Sequence, residues 1–278
     1  MSGDFSNLFL LHEGKLADKW TSYLPVYDRI LKDYRDQKIS LLEIGIQNGG
    51  SLEIWSKYFE FAERIVGCDV DENCKRLKFL DDRISVVIGD VNSPDIIAMI
   101  SRHHQDFDII VDDGSHKSDE VVTTFYNFFP KLKNNGLYII EDVHASYWKK
   151  YGGGLNKPDS AMEFFKQLVD IVNFEHWGTE GSRIDHLANF PLFALSSETE
   201  ALLGQIHEIS FMNSMVVIKK VASERNTLGL RRIIGNEKSV TAHAKEFDGL
   251  ELVPDTFEEL IPLWRRVRSR LRILLIRA

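Results

Sequence analysis

The sequence predicts an α/β fold in which five parallel strands and a closing antiparallel hairpin form one seven-stranded sheet. Short apolar runs alternate with segments of helical periodicity over about one hundred residues, which is typical of βαβ units with helices on both faces of the sheet. Four of the first five runs end in a carboxylate. Two further β-type runs, near 206–211 and 215–219, supply the hairpin.

The predicted elements follow one another closely as far as residue 142. An amphipathic helix is expected over about residues 15–34, because apolar side chains recur there at three- and four-residue steps. Strands are expected at 39–44, 64–69, 84–88, 107–111 and 137–140, helices at 51–61, 72–80, 93–103 and 117–132, and a turn at Asn134-Asn-Gly136. An irregular stretch over 143–159 then precedes a helix at 160–172, and loops of that length are usually functional or mobile.

Length and composition indicate an ordinary globular protein. The chain has 278 residues, of which 44% are hydrophobic and 27% charged, enough for one large domain and an appendage. Its net charge of -8 disfavours nucleic acid as a partner. Cys68 and Cys74 are too few for a disulfide framework and indicate a reducing compartment. Since neither a leader nor an apolar run of membrane-spanning length is visible, we expect a cytoplasmic location.

A glycine-rich turn follows the first predicted strand. Glu43 lies two residues before Gly45, and Gly49 and Ser51 follow. Glycines at such a turn let a ligand approach the backbone closely. The spacing differs from the G-x-G-x-x-G pattern of dinucleotide sites, so it favours a nucleoside ligand without a pyrophosphate. A plain β–α turn is the alternative interpretation.

The second and third predicted strands end in Asp69 and Asp90. An acid about twenty residues after the glycine turn can accept hydrogen bonds from both ribose hydroxyls, so Asp69 is the ribose candidate and Asp71 its weaker competitor. Asp90 is a candidate acceptor for the exocyclic amine of an adenine ring. Either acid could instead cap a helix or form a turn. Asp69 and Asp90 therefore support a ligand that contains adenosine, but they do not distinguish an NAD site from the site of another adenosine-containing cofactor.

Two acidic motifs follow the fourth and fifth predicted strands, at Asp112-Asp113-Gly-Ser-His116 and at Glu141-Asp142-Val-His144. Neighbouring strand ends lie about 5 Å apart, at the sheet edge where open α/β sheets bind ligands. Asp113 and Asp142 could then share one hard cation, and oxygen ligands with an incomplete shell favour Mg²⁺. The alternative is that one acid binds the cofactor and the other caps a helix.

A histidine within the first acidic motif, His116, is the candidate general base. An imidazole titrates near neutral pH and can take the proton of an alcohol. A solvent-facing neighbour of a helix cap is the alternative, and His144 is a second candidate base.

These motifs carry a resemblance to a known family. The first acidic motif, followed by Ile140-Glu-Asp-Val-His-Ala-Ser-Tyr-Trp148 and Tyr151-Gly-Gly-Gly154, resembles the bacterial sugar O-methyltransferases, among them the mycinamicin and macrocin enzymes, with cephalosporin-hydroxylase-like relatives. Residues 14–27 are similar to the family's N-terminal helix, which closes over the cofactor. They carry Asp18-Lys-Trp where relatives have a shorter Asp-Lys stretch followed by His.

The resemblance implies a Rossmann-like class I methyltransferase fold that uses S-adenosylmethionine and Mg²⁺ to methylate a sugar hydroxyl of a glycan, glycolipid or glycosylated natural product. It also implies that Asp113 and Asp142 bind the metal and that His116 is the base. The predicted cofactor set consists of Glu43, Gly45, Gly49, Ser51, Asp69, Asp90 and Asp112.

Three segments are expected, namely a helical lid over 1–38, the methyltransferase domain over 39–220 and an extension over 221–278. Within the extension, Phe257 to Arg277 interleaves six arginines with apolar residues and is predicted to be a basic amphipathic helix. It could lie peripherally on the inner face of an anionic membrane, dock on another protein or a second copy of the chain, or pack on its own acidic domain.

Three functions are alternatives to methylation of a sugar-containing acceptor. A catechol-type or other small-molecule O-methyltransferase would use the same metal chemistry. An NAD-dependent oxidoreductase is disfavoured by the missing G-x-G-x-x-G pattern and by the terminal hairpin. A non-catalytic partner with the same fold is disfavoured by the intact Asp113, His116 and Asp142.

Overall fold

A mixed β-sheet forms the centre of the computed structural model, which describes residues 4–102, 106–192, 196–237, 239–241 and 243–251. The strands are β1 (Ser40–Ile44), β2 (Arg64–Asp69), β3 (Ile84–Ile88), β4 (Phe107–Asp112), β5 (Leu132–Ile140), β6 (Ile206–Met212) and β7 (Met215–Lys220). Within the described residues they form one seven-stranded sheet in the order β3-β2-β1-β4-β5-β7-β6. The first five are parallel, and β7 is antiparallel to β5 and β6. The predicted fold class is confirmed.

Helices cover both faces of this sheet. They are α1 (Phe5–Leu10), α2 (Leu24–Leu31), α3 (Gly50–Tyr58), α4 (Pro94–Arg102), α5 (Ser118–Phe128), α6 (Ala161–Val172), α7 (Arg183–His186) and α8 (Ser197–Leu203). Alternate residues of one strand point to opposite faces, so Leu41 joins the hydrophobic cluster of α1, α2 and α3, whereas Leu42 joins that of α4, α5 and α6. Burial on both faces explains why the central strands β1 and β4 consist largely of apolar residues.

The strand order reverses between β1 and β4, because the chain winds outward from β1 through β2 to β3 and then returns to β4. Ile44 pairs with Asp112, and Asp112 pairs with Ile140. The residues that follow these strand ends therefore lie side by side at one edge. In open α/β sheets, ligands bind in the crevice outside this reversal point.

The predicted helix over residues 15–34 is wrong in its first half. Helix α2 begins at Leu24, with Pro25 in its first turn, where a missing N–H costs nothing. Residues 11–23, which we call the strap, are not helical and cross the carboxyl edge of the sheet. The strap lies close to the start of α3, since the Gly50 amide donates to the Leu16 carbonyl at 3.1 Å. A shorter helix, α1, precedes the strap.

The predicted turn at 134–136 is also wrong, because these residues belong to β5. Asn135 adopts a left-handed backbone (φ 65°), and the β4–β5 register shifts near this point. The Asn-Asn-Gly signal therefore marks an irregularity inside a strand.

Two predicted helices are shorter than expected. Helix α5 stops before Pro130. Only Glu72–Arg76 of the predicted helix at 72–80 forms, as a 3₁₀ turn.

Two further expectations concern membrane-spanning helices and the C-terminal tail. In the described ranges, no helix combines the length and the apolar character needed to cross a membrane. The predicted basic helix over 257–277 lies outside the described residues, so its three interpretations stay predictions.

Candidate functional site

A cavity of about 620 Å³ lies at the carboxyl edge of the sheet, beside the reversal point. A volume of this size accommodates a nucleoside-sized molecule. The structure brings many of the predicted site residues to its wall, namely Gly45, Asp69, Asp90, Asp112, Asp113 and His116. The predicted cofactor region and the predicted catalytic motif therefore share one cavity.

The turn after β1 presses its backbone against the first acidic motif. Gly45 has φ 84°, and a Cβ atom built there would lie 2.1 Å from the carbonyl oxygen of Asp113. No side chain fits at such a distance, so glycine is required here by both its backbone conformation and its contact. The glycine places the cavity floor directly beside Asp113.

Asp69 and Asp71 have different roles. Asp69 Oδ2 accepts from the amides of Ile46 and Gln47, and its Oδ1 accepts from the Asp71 amide, each at 2.9 Å. A carboxylate offers about four acceptor positions, so Asp69 keeps capacity for a ligand while it fixes the turn. Asp71 caps the following 3₁₀ turn. The geometry therefore favours Asp69 as the ribose candidate.

Asp90 forms a turn and also lines the cavity. Its Oδ1 accepts from the Asn92 amide at 2.9 Å, which is the turn-forming bond that the sequence left open as an alternative. The same residue lines the cavity. A turn that holds Asp90 in place at the wall is compatible with a ligand contact.

Three predicted cofactor residues lie outside the lining of this cavity. Glu43 is fully buried, and its Oε2 accepts from the Ser51 hydroxyl at 2.6 Å. Gly49 faces Phe79, whose ring would lie 2.8 Å from an added Cβ. These residues support the β1–α3 turn from behind, and their contact with a cofactor stays a prediction.

Asp112 is a buried carboxylate at the cavity wall. Its Oδ1 accepts from the Gly114 amide at 3.3 Å, and its Oδ2 has no hydrogen-bond partner among the described residues. Burial, with a smaller contribution from Asp113, raises the pKa of Asp112 to about 7. A ligand that brings a hydrogen-bond donor or a cationic amine to this oxygen would satisfy it, which fits the predicted cofactor.

The second half of the site is an acidic cluster. Among the described residues, Asp113, His116 and Asp142 form a group in which one ligand atom from each lies within 4.8 Å of the others. His116 Nε2 is 4.0 Å from Asp113 Oδ1 and 3.9 Å from Asp142 Oδ2. The ends of β4 and β5 thus bring these three predicted residues together.

Two members of the cluster have a left-handed backbone, which is uncommon outside glycine. His116 has φ 56° and Asp142 has φ 53°. Such conformations carry a free-energy cost, and they concentrate at functional sites where the surrounding structure enforces them. Asp142 lies two residues after the end of β5, and His116 lies four residues after the end of β4. The backbone is therefore bent so that these side chains face each other.

The strap contributes a lysine whose site role the sequence did not reveal. Lys19 Nζ lies 2.7 Å from Asp113 Oδ2, 2.8 Å from Glu141 Oε1 and 3.6 Å from Glu43 Oε1. Burial alone would lower the pKa of Lys19, but the three carboxylates outweigh it and raise the pKa well above its usual value. Lys19 therefore stays charged.

One lysine does not neutralise three carboxylates. Burial raises the pKa of Glu141 to about 8 and also raises the pKa of Glu43, although Lys19 opposes both shifts. The Tyr27 hydroxyl donates a further hydrogen bond to Glu141. This buried excess of acid favours the uptake of a proton or a cation.

The strap also holds Asp142. Trp20 Nε1 donates to Asp142 Oδ1 at 2.9 Å, and the Tyr23 hydroxyl lies 2.7 Å from the same oxygen. Asp113 and Asp142 are thus each held by one oxygen, while the other oxygen faces His116 Nε2. The sequence signal for these contacts is the Asp18-Lys-Trp segment, which differs from the pattern of the relatives. The apolar periodicity around this segment predicts a helix instead.

His144 lies on the other side of Asp142. Its Nδ1 is 4.0 Å from Asp142 Oδ1, the oxygen that the strap already holds, and the same nitrogen contacts the Ser214 hydroxyl. His116 instead faces the oxygen that the strap leaves free. The geometry therefore favours His116 over His144 as the base.

Comparison with known proteins places this site in context. Residues 42–143 match the family model described as a methyltransferase domain. A demethylmacrocin O-methyltransferase of Streptomyces fradiae is 34% identical over 181 residues, which are 60% of this chain and 45% of that protein. A mycinamicin VI 2''-O-methyltransferase of Micromonospora griseorubida is 33% identical over 172 residues, which are 58% of this chain and 42% of that protein.

A solved structure extends the comparison to the fold. The MycE methyltransferase of the mycinamycin biosynthetic pathway, in complex with Mg and SAH, matches with a TM-score of 0.66 and 26% identity over 81% of this chain and 55% of that chain. The seven-stranded sheet has the Rossmann-like fold of class I methyltransferases. The predicted resemblance is confirmed, since the homologues of this domain are sugar O-methyltransferases. The chain spans less than half the length of these two curated relatives.

The methyltransferase domain should become more stable when Asp112 is replaced by asparagine. Folding favours the protonated carboxyl, so in the wild type the free energy of unfolding should fall as pH rises from about 4 to about 7. Asp112→Asn removes this contribution and keeps the bond from Gly114. Urea unfolding at pH 4 and pH 8 should show little difference at pH 4 and a gain of about 2 to 4 kcal/mol at pH 8. Parallel pH profiles would contradict the buried, unpaired carboxylate.

Proposed function

We propose that this protein transfers the methyl group of S-adenosylmethionine to a sugar hydroxyl of a glycan, glycolipid or glycosylated natural product, assisted by Mg²⁺. The convergence of Asp113, His116 and Asp142 at one end of the cavity carries this proposal. The comparisons support it, because a MycE structure contains Mg, SAH and mycinamycin VI. We further propose that residues 1–38 act as the lid, residues 39–220 as the catalytic domain and residues 221–278 as an extension.

The cavity wall supports a cofactor made of adenosine and an amino acid. Asp69 would accept from the ribose hydroxyls, and Asp90 from the exocyclic amine of adenine. Asp112, whose Oδ2 has no partner among the described residues, would face a cationic amine. Gly45 lets such a molecule approach the backbone. Together these residues would bind the cofactor along the wall that leads to Asp113.

The donor set supports a hard cation. Asp113 Oδ1 and Asp142 Oδ2 are the oxygens that the strap leaves free, and Mg²⁺ prefers carboxylates, with waters and substrate in its remaining positions. A nitrogen ligand is less suited to Mg²⁺. His116 is therefore assigned to proton transfer and not to metal binding.

The chemistry follows from these assignments. When bound, S-adenosylmethionine would supply an activated methyl group, and Mg²⁺ held by Asp113 and Asp142 would lower the pKa of an acceptor hydroxyl and help to position it. His116 Nε2 would take the hydroxyl proton as the oxygen–methyl bond forms and the sulfonium–methyl bond breaks, which leaves S-adenosylhomocysteine. The two nearby carboxylates stabilise the imidazolium that forms. The strap limits the access of water to the cluster.

A catechol-type acceptor is the second candidate, because metal-bound vicinal hydroxyls serve both chemistries. The identity of the homologues favours the sugar. Methyl-transfer assays on a methyl glycoside and on catechol, side by side, separate the two acceptor classes.

Calorimetry should separate the cofactor classes. S-adenosylhomocysteine should bind to the wild type with a micromolar dissociation constant, whereas NAD should show no saturable heat. Magnesium titrated into the same sample should bind once per chain, and Asp113→Asn should abolish that step while S-adenosylhomocysteine still binds. Tighter binding of NAD than of S-adenosylhomocysteine would overturn the proposed function.

Replacement of His116 should affect proton transfer and leave binding intact. His116→Ala should lower the turnover number by about 10²- to 10⁴-fold, the range that a general base contributes. The dissociation constants of S-adenosylhomocysteine and Mg²⁺ should change less than threefold. The pH dependence of turnover in the wild type should lose its acidic limb in the variant. Full turnover in the variant would reject His116 as the base.

Loss of a strap contact should weaken metal binding. Trp20→Phe removes the N–H that holds Asp142 Oδ1 and keeps an aromatic ring. Outer partners that orient a metal ligand typically contribute about 10- to 100-fold in affinity, so the dissociation constant of Mn²⁺, measured by paramagnetic resonance, should rise by at least about tenfold. Trp177→Phe, which removes an indole bond to the Asp170 carbonyl, is the matched control and should leave Mn²⁺ affinity unchanged. Equal affinities in both variants would contradict the orienting role.

A further inference from the structure

Five aromatic rings form a continuous arc beside the acidic cluster. Successive ring centroids lie 6.0 Å apart from Trp20 to His144, 4.8 Å from His144 to Trp148, 6.0 Å from Trp148 to Tyr151 and 6.5 Å from Tyr151 to His116. Successive ring planes are inclined by 83°, 71°, 45° and 64°. We call these five residues the aromatic arc.

Both ends of the aromatic arc contact the same carboxylate. Trp20 Nε1 donates to Asp142 Oδ1, and His116 Nε2 lies 3.9 Å from Asp142 Oδ2. The arc therefore lies beside Asp142, one of the two carboxylates assigned above to the metal. Trp20 and Trp148 are 57% and 52% exposed, although both are large apolar side chains. Exposed aromatic surface beside convergent polar groups marks a binding site.

Backbone hydrogen bonds and one close contact hold the turn that carries Trp148. The Trp148 amide donates to the Ala145 carbonyl, and the Trp148 carbonyl accepts from the amides of Tyr151 and Gly153 at 3.0 Å. Gly153 packs so closely that an added Cβ would lie 2.0 Å from the Ser146 carbonyl oxygen. This contact accounts for Gly153, because a side chain there would displace the turn that holds Trp148. A turn that fixes Trp148 lowers the entropy cost of binding to its ring.

We propose that the aromatic arc is the acceptor-binding wall, and that it takes a pyranose ring whose C–H face packs on Trp148 while two of its hydroxyls reach the acidic cluster. This inference rests on the proposed function and names the acceptor's recognition element. Successive rings of the arc are inclined by 45° to 83°, so they offer separate facets to a puckered ring with projecting C–H groups. A flat catechol ring would need two parallel faces. The apolar face and the polar edge of a sugar match the two halves of this site.

Saturation-transfer NMR with methyl α-L-rhamnopyranoside tests the inference. The protein is the full chain in the presence of S-adenosylhomocysteine and Mg²⁺. In the wild type, the ring protons on one face of the glycoside should receive more saturation than those on the other. Trp148→Ala should weaken glycoside binding by roughly tenfold, as expected for a central aromatic contact, and Trp148→Phe should restore most of it. Tyr147→Ala, which replaces an exposed ring of the same turn outside the arc, is the matched control and should bind like the wild type.

The outcomes distinguish this inference from the proposed function. Unchanged glycoside affinity in Trp148→Ala, or equal losses in Trp148→Ala and Tyr147→Ala, would overturn the acceptor wall. Absence of saturation transfer in the wild type, or displacement of the glycoside by catechol with even saturation of both glycoside faces, would also overturn it. Calorimetry on the same samples reports S-adenosylhomocysteine binding separately. Loss of that binding in the wild type would reject the proposed function itself.

Discussion

The site depends on the buried ammonium group of Lys19. It lies between the carboxylates that follow or end three adjacent strands, which would otherwise repel one another in a buried position. Because Lys19 belongs to the strap, the same ion pairs that make this acidic edge tolerable also attach the N-terminal segment to the sheet. Breaking one partner of such a buried set leaves an uncompensated charge, so the strap and the strand ends form one unit.

The attachment of the strap has a chemical consequence, because it gives the two oxygens of each carboxylate different surroundings. Asp113 is held through Oδ2 by Lys19, and Asp142 through Oδ1 by Trp20 and Tyr23. The opposite oxygens face His116 across about 4 Å. In metal sites, outer contacts of this kind hold the ligand side chains in the orientation that binds the ion. The strap thus supplies the orienting contacts, and the strand ends supply the carboxylates proposed to bind the ion.

The sheet and most of the candidate site could be predicted from the sequence, whereas the strap could not. Strands β1, β2 and β4 are largely buried on both faces, whereas the edge strand β3 is only partly buried, but all four have short apolar runs that are readily predicted. Parallel strands then bring Asp69, Asp90, Asp113 and Asp142 to one edge without any knowledge of contacts. In the strap, Trp20 and Tyr23 recur with the spacing of a helix, but they face Asp142, which lies far away in the sequence. Local periodicity does not record partners from other parts of the chain, and the role of Lys19 depends on three of them, Glu43, Asp113 and Glu141.

The contact between Gly45 and the Asp113 carbonyl has a further consequence. One peptide group forms part of the floor of the proposed adenosyl pocket and also carries the side chain proposed to bind the ion. A displacement of this peptide would therefore alter both proposed half-sites together. Trp148 projects from a turn that has no share in that peptide, so the proposed acceptor contact can vary without displacing it.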